Sequence, residues 1–318
     1  MTEPTFNLDE LLQTLPSFSL LQRPHYSQPV LDYFKYYGLD FENQFQGLQH
    51  YFGRIDCDPY HIACHYYVAN DEAEAKTIVI VHGYYDHVGL YKHVIANCLE
   101  QGYNLIAFDL PGHGLSSGER TRISRFGEYQ QVLKQLIALF NQQQITVNAL
   151  LGQSTGAAIV MQYVLENPLP PKALVLLAPL FKPCQWRSVN VFYQIFKRFI
   201  KKLPRRFANN SQDKNFIYFL KYQDPLQARC THLDWVGALA EWIAAFKYFK
   251  VSKNTALIVQ GRDDSTVDWQ NNITAIHKKL PNADIHYIDD AGHQLVNELP
   301  AIRDNVFTLI NQYLRDQN

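Results

Sequence analysis

The chain has 318 residues, carries 29 basic against 30 acidic side chains and is 47% hydrophobic. It is long enough for a sizeable core, organised as one large domain with an insertion or as two closely associated lobes. The near-cancelling charge excludes a whole-chain polyanion binder, so no nucleic-acid partner is expected, and no unbroken apolar run is long enough to cross a membrane.

The N-terminus, MTEPTFNLDELLQTLPSF, has no basic stretch leading into an apolar one, so a cytoplasmic location is expected rather than secretion. Residues 1 to about 48, including PVLDYFKYYGLDF, are expected to form a helical segment packed on the outside. HYFGRIDC and YHIACHYYVA, split by Asp58-Pro59, predict a hairpin at one sheet edge. From Lys76 onward, short Val, Ile and Leu runs alternate with amphipathic ones: TIVIVHG, LYKHVIANCLEQG, YNLIAFDLPGHG, FGEYQQVLKQLIALFNQQQ, TVNALLGQS, TGAAIVMQYVLENP and KALVLLAPL. This alternation predicts βαβ units and an α/β fold, a mostly parallel central sheet flanked by helices on both faces. It stops over residues 181–251, which are aromatic and basic, helical in pattern, and without a convincing strand. TALIVQG resumes the sheet, and ADIHYIDDAGH followed by LPAIRDNVFTLINQYLRD closes it. The expected organisation is a core built from residues 1–180 and 252–318, with a helical cap, 181–251, inserted after the sixth strand.

Ser154 stands between Gly152 and Gly156 in GQSTG, where a strand gives way to a helix. There the motif implies a sharp turn that lifts the hydroxyl above the carboxyl edge of the sheet and aims the first N–H groups of the helix at whatever binds. Both glycines are steric requirements, because a Cβ at either would collide with the adjoining strand or helix. A plain βα turn with a serine N-cap is the bland alternative. A serine hydroxyl is a weak nucleophile, so it needs a base, and the base needs a group to fix its tautomer. Among the twelve histidines, His293 lies on a loop just after a strand and before the last helix. His286, inside that strand, and His277, inside a helical run, read as structural. In LIVQGRDDSTVDW, Asp264 is preferred to Asp263 because the G-x-x-D register commonly turns this carboxylate toward the histidine. The loop after ALVLLAPL, the other place for such an acid, offers only Pro179, Leu180 and Phe181.

The order Ser154, Asp264, His293 is that of α/β-hydrolases and implies an acyl-enzyme mechanism. Oxyanion donors are expected at the backbone N–H of Thr155 and, from VIVHGYYDH, of Tyr84, with His82 a structural residue. Five scattered cysteines without CxxC spacing read as reduced thiols. With no H-E-x-x-H and no Rossmann or P-loop glycines, neither a metal nor a nucleotide cofactor is expected.

Taken together, HGYYDHVGLYKHVIANCLEQGYNLIAFDLPGHGLSSGERTRISRFGEY, GQSTG, APL, YQDPL, GRDD and AGHQLVNELP resemble the monoacylglycerol lipase and bacterial lysophospholipase group of α/β-hydrolases. The resemblance runs from roughly Tyr51 to the C-terminus, and PGHGLSSGER is its most particular element. It implies a cap over the site, an acyl-glycerol or lysophospholipid ester as substrate, catalytic Ser154, Asp264 and His293, and oxyanion donors at Tyr84 and Thr155. The chain departs from the group twice. Tyr84 and Tyr85 stand where a small residue usually follows His-Gly, which narrows the acyl entrance, and Gln153 stands where His often precedes the nucleophile, which alters local hydrogen bonding.

Lys182 to Arg206 carries eight Lys and Arg and no acid, while Val189, Phe192, Phe196, Phe199 and Leu203 recur at spacings of three and four. That pattern predicts a helix with one apolar and one basic face. Such a helix suits peripheral contact with an anionic lipid surface, or it buries its aromatics over the site and shows its charges to water; the resemblance favours the second. HLDWVGALAEWIAAFKYF, with Trp235, Trp242, Phe246 and Phe249, suits the wall of an acyl channel or plain core packing. Other functions open to the same residues are a small-ester esterase, a serine peptidase on the same fold, and a ligand-binding protein that retains the triad.

Overall fold

The computed structural model describes residues 6–21, 25–69, 75–167 and 169–317; the parts of the N-terminal segment at 1–5 and 22–24 lie outside them. Two helices open the chain, α1 (Leu8–Thr14) and α2 (Gln28–Tyr37). Pro29 in the first turn and Gly38 at φ +67° set the ends of α2, and the three- and four-residue spacing of Val30, Tyr33, Phe34 and Tyr37 gives it one buried face. That face packs on the next strand pair, with Phe34 edge-on to Phe52 at 5.1 Å.

The hairpin β1 (Gln49–Cys57) and β2 (Tyr60–Val68) turns on Asp58-Pro59, with Cys57 paired to Tyr60. Then follow β3 (Thr77–Val81), α3 (Lys92–Glu100), β4 (Asn104–Phe108), α4 (Gly127–Gln142), β5 (Val147–Gln153), α5 (Thr155–Glu166) and β6 (Ala173–Leu177). Between β6 and the next sheet strand come α6 (Trp186–Phe196), β7 (Lys202–Pro204), α7 (Lys214–Tyr218), β8 (Cys230–His232) and α8 (Leu233–Ala245). The chain closes with β9 (Ala256–Gly261), α9 (Trp269–His277), β10 (Ala283–Ile288) and α10 (Pro300–Asp316).

The eight-stranded sheet has the order β1-β2-β4-β3-β5-β6-β9-β10, antiparallel at the β1-β2 and β2-β4 pairs and parallel elsewhere. Because strand side chains alternate, the short apolar runs feed two cores at once. Ile78, Leu105, Ala149 and Val175 face one core with α1, α2, α3 and α10, while Val79, Ile106, Leu150 and Leu176 face the other with α4, α5, α8 and α9. β6 and β9 are parallel neighbours in the sheet, so everything between them leaves the sheet at its carboxyl edge and returns to it at the amino edge.

Two expectations for that excursion need correction. It contains a short antiparallel pair, β7 with β8, rather than helices alone. The basic aromatic helix ends at Phe196, so Phe199 and Leu203 are not on it. Lys197, Arg198, Lys201 and Lys202 would stack like charges at three- and four-residue spacing in a longer helix, and Pro204 would break one. The chain instead extends and pairs Leu203 with Thr231.

Candidate active site

The junction of β5 and α5 is tight enough to dictate its residues. A Cβ on Gly156 would stand 2.0 Å from the Val81 carbonyl oxygen of β3, and one on Gly152 would stand 2.5 Å from the Gly156 carbonyl. Between them Ser154 sits at φ 55° and ψ −115°, a strained conformation for a residue with a side chain. Its N–H donates to the Leu177 carbonyl at 2.9 Å, and its own carbonyl accepts from Ala158 and Leu180 at 3.1 and 3.2 Å. The neighbouring strand and helix therefore hold the strain in place and present Oγ at the sheet edge.

The loops after β9 and β10 bring the other two groups. His293 Nε2 lies 2.8 Å from Ser154 Oγ, and His293 Nδ1 lies 2.7 Å from Asp264 Oδ2. Asp264 also accepts from Gln260 Nε2 at 3.0 Å and from the backbone N–H of Thr266 and Val267 at 2.8 and 3.2 Å. Burial opposes ionisation of Asp264, but the imidazole and these donors outweigh it and hold the carboxyl below its ordinary range. Burial likewise opposes charge on His293, and the Asp264 carboxylate reverses the balance and holds the imidazole above its ordinary range. Asp263 is exposed, and its N–H donates to the Ala291 carbonyl at 2.9 Å. His286 pairs with Asp284 at the surface, away from this line.

The loop after β3 lies against the serine: a Cβ on Gly83 would be 3.3 Å from Ser154 Cβ. Among the described residues, the backbone N–H groups of Tyr84 and Thr155 donate to no protein acceptor. The side chains of His82, Tyr91 and Asp109 hold this loop. His82 is locked between the Gly83 carbonyl at 2.7 Å and the Leu110 N–H at 2.9 Å, and burial lowers its pKa to about 3, so it stays neutral. Tyr91 accepts from the Gly83 N–H at 3.0 Å and donates to Asp86 at 3.2 Å. Asp109, at the head of the PGHGLSSGER loop, accepts from Val88 at 2.8 Å and Leu115 at 2.7 Å, tying the two loops together. That motif is scaffold: Ser116 bridges the Asp109 carbonyl and the Ala63 N–H of β2.

The serine aminopeptidase S33 family matches residues 72–300. The chain belongs to this family. It is an α/β-hydrolase of the monoacylglycerol lipase group. Human monoglyceride lipase is 24% identical over 273 residues, covering 82% of this chain and 88% of that protein. A match to an uncharacterized abhydrolase domain-containing protein of Dictyostelium discoideum is 34% identical over 110 residues but spans 11% of that larger protein. Among solved structures, a soluble variant of the Saccharomyces cerevisiae monoglyceride lipase shares the fold with a TM-score of 0.72 at 14% identity, over 83% of this chain and 94% of that one. The Paleococcus ferrophilus monoacylglycerol lipase does so with a TM-score of 0.66 at 21% identity, over 76% and 95%.

In this hydrolase the histidine loop is held by groups that sequence reasoning did not single out. The Asn210 carbonyl, between β7 and α7, accepts from the N–H groups of both His293 and Gln294 at 2.9 Å. Buried Glu298 accepts from the Gly292 N–H at 2.7 Å, from the Gln212 N–H at 2.7 Å and from Ser211 Oγ at 3.2 Å. Three successive N–H groups around His293 are thus captured, two of them by the segment between β6 and β9. Gln153 donates to Gln294 at 2.8 Å and accepts from Val296 at 3.3 Å, so the departure at this position crosslinks the elbow to the histidine loop. Gln294 in turn donates to buried Asp86 at 3.2 Å.

The aromatics of α8 and of the turn that follows it divide between two tasks. Trp235 stacks on Tyr84 at 3.8 Å, whereas Trp242 and Phe246 pack with Phe126 and Phe181, and Trp242 donates to Gln162 of α5. Trp242 and Phe246 are core residues rather than channel wall.

Proposed function

We propose that the chain is a serine hydrolase of lipid-like carboxylic esters, monoacylglycerols or lysophospholipids, acting through an acyl-enzyme. The reading is carried by the continuous hydrogen-bond line from Asp264 through His293 to Ser154 Oγ, with the hydroxyl on a strained turn at a helix N-terminus. His293 takes the hydroxyl proton as Oγ attacks the ester carbonyl, and the Tyr84 and Thr155 N–H groups receive the oxyanion. His293 returns the proton to the leaving alcohol, then activates the water that releases the acid. Asp264 fixes the tautomer and stabilises the transient imidazolium. Residues 181–251 act as the cap, joined to the site through the Tyr84–Trp235 stack and the Asn210 carbonyl.

Several matched proteins are named for monoacylglycerol hydrolysis, which favours a long acyl ester over a peptide. Among the described residues no helix is long and apolar enough to cross a membrane, yet α6 leaves Val191 and Ile195 each 59% exposed, and Phe199 beyond it 82% exposed. With Lys197, Arg198 and Lys201 beside them, these residues suit peripheral docking on an anionic bilayer. The test is a panel of monoacylglycerols, lysophospholipids, short p-nitrophenyl esters and aminoacyl amides. Long-chain acyl esters are expected to be turned over with the highest kcat/KM; a preference for aminoacyl amides would replace the lipase reading with a peptidase.

A further inference from the structure

A cavity of about 670 Å³ opens between the oxyanion loop and the cap. Val189 and Phe192 of α6, Leu203 of β7, and Leu233 and Val236 of α8 make its wall largely apolar. Arg205 breaks the pattern. Its guanidinium is sandwiched between the rings of Tyr85, 4.1 Å away, and Phe207, 4.4 Å away, which fixes its plane. Nη1 donates to the Gln227 side-chain carbonyl and to the Ala228 carbonyl. Among the described residues, Nε and Nη2 donate to no protein acceptor, and no carboxylate forms an ion pair with Arg205. Asp86 and Asp224 attract it from a distance without bonding it.

The neighbouring tyrosine is held for this stack. Tyr85 takes φ +72°, a left-handed backbone that favours glycine, and its phenol shares a hydrogen bond with the Thr231 hydroxyl of β8. Tyr85 directly follows Tyr84, so the guanidinium stands just beyond the oxyanion loop. Nε–H and Nη2–H form one edge of the fork, the edge that grips two oxygens of a phosphate or carboxylate at once. From Lys182 to Arg229 the chain carries eleven Lys and Arg against two carboxylates, Asp213 and Asp224, in a protein whose net charge is −1. Asp224 pairs with His87 and Asp213 caps α7, so neither neutralises the cavity.

We propose that Arg205, stacked between Tyr85 and Phe207, is a subsite for the phosphate of a lysophospholipid whose acyl ester reacts at Ser154. This rests on the ester-hydrolase reading and adds a headgroup preference to it. In such a lipid the phosphate lies only a few bonds beyond the scissile ester, and the guanidinium lies over the ring of the residue that follows the oxyanion donor. A monoacylglycerol offers a hydroxyl there and leaves the cation unmatched.

The test compares esters that share one decanoyl chain, lysophosphatidylglycerol, lysophosphatidylcholine and 1-monoacylglycerol, each below its micelle concentration. In Arg205→Met, kcat/KM for the two phosphate-bearing esters should fall by about 10- to 100-fold, and that for the monoacylglycerol by less than about threefold. Arg205→Lys, which keeps the charge and loses the fork, should show the same selective loss in smaller degree, and it carries the test should the Met variant not fold. Binding to Ser154→Ala protein is measured beside turnover. There the phosphate-bearing esters should bind more tightly than the monoacylglycerol, and adding Arg205→Met should erase the difference. If wild type cleaves none of the three, the hydrolase reading fails, while the binding comparison still decides the subsite. Equal losses on all three esters, no loss in a folded variant, or an Arg205 effect seen only on vesicles would each overturn the subsite, the last by assigning the anion dependence to the lipid surface.

Discussion

Ser154 is only 9% exposed, so its reactivity depends on partners already in contact with it rather than on solvent. Since His293 must be neutral to accept a proton, kcat/KM should rise with pH through an imidazole pKa above the ordinary value, because the Asp264 carboxylate stabilises the protonated ring. Asp264→Asn removes that charge, so the limb should move to lower pH while kcat/KM falls by about 10³- to 10⁴-fold. Asp86 also favours the imidazolium, and Asp86→Asn should move the limb in the same direction by less. Exposed Asp263 gives an internal comparison: Asp263→Asn should stay within about threefold of wild type. A pH–rate series on the three variants checks all of this, and an acid limb unmoved by Asp264→Asn would detach that carboxylate from the base. The glycines carry a separate expectation. Gly156→Ala drives a methyl into the Val81 carbonyl and should destabilise the fold by about 3 kcal/mol or more, read by urea unfolding.

Between elements, the contact that matters is the one joining the histidine loop to the segment between β7 and α7. Glu298 serves both sides, so Glu298→Ala leaves the Gly292 and Gln212 N–H groups without their acceptor, at a cost of about 1–3 kcal/mol for each. Unfolding should register that loss, and kcat should fall about tenfold with a smaller change in KM, because the alteration lies behind the base rather than in the acyl path. A change confined to KM would separate the clamp from the chemistry. This clamp was not legible in the sequence. Ser154, Asp264 and His293 could be singled out because a glycine-framed turn and two strand ends mark their places, but Glu298 and Asn210 act through backbone groups of residues distant in the chain, which no side-chain pattern announces. β7 and β8 escaped for a similar reason. Each has three residues, and their pairing joins positions about thirty residues apart, so neither alternation nor length distinguishes them from loop. The central parallel strands were readable because burial on both faces demands unbroken Val, Ile and Leu.

At the scale of the molecule, charge and apolar surface are segregated onto residues 181–251. α6 turns Val189 and Phe192 toward the cavity and leaves Val191 and Ile195 outside, so one helix has both an inner and an outer apolar edge. Ile195→Ser with Phe199→Ser should weaken association with phosphatidylglycerol vesicles by about tenfold, as measured by co-sedimentation, and added salt should weaken it further. Undiminished association of the double variant would assign that surface another role. The same segregation explains why the overall charge was uninformative: a basic segment at 181–251 and an acidic remainder cancel in the sum.

The central claim is that Ser154 is an activated nucleophile, and the most direct measurement is intact-mass and peptide analysis after reaction with a fluorophosphonate. One adduct per chain on the peptide bearing Ser154, absent from Ser154→Ala, is the expected result. A wild-type protein that stays unlabelled at pH 8, or is labelled on a different serine, would contradict it.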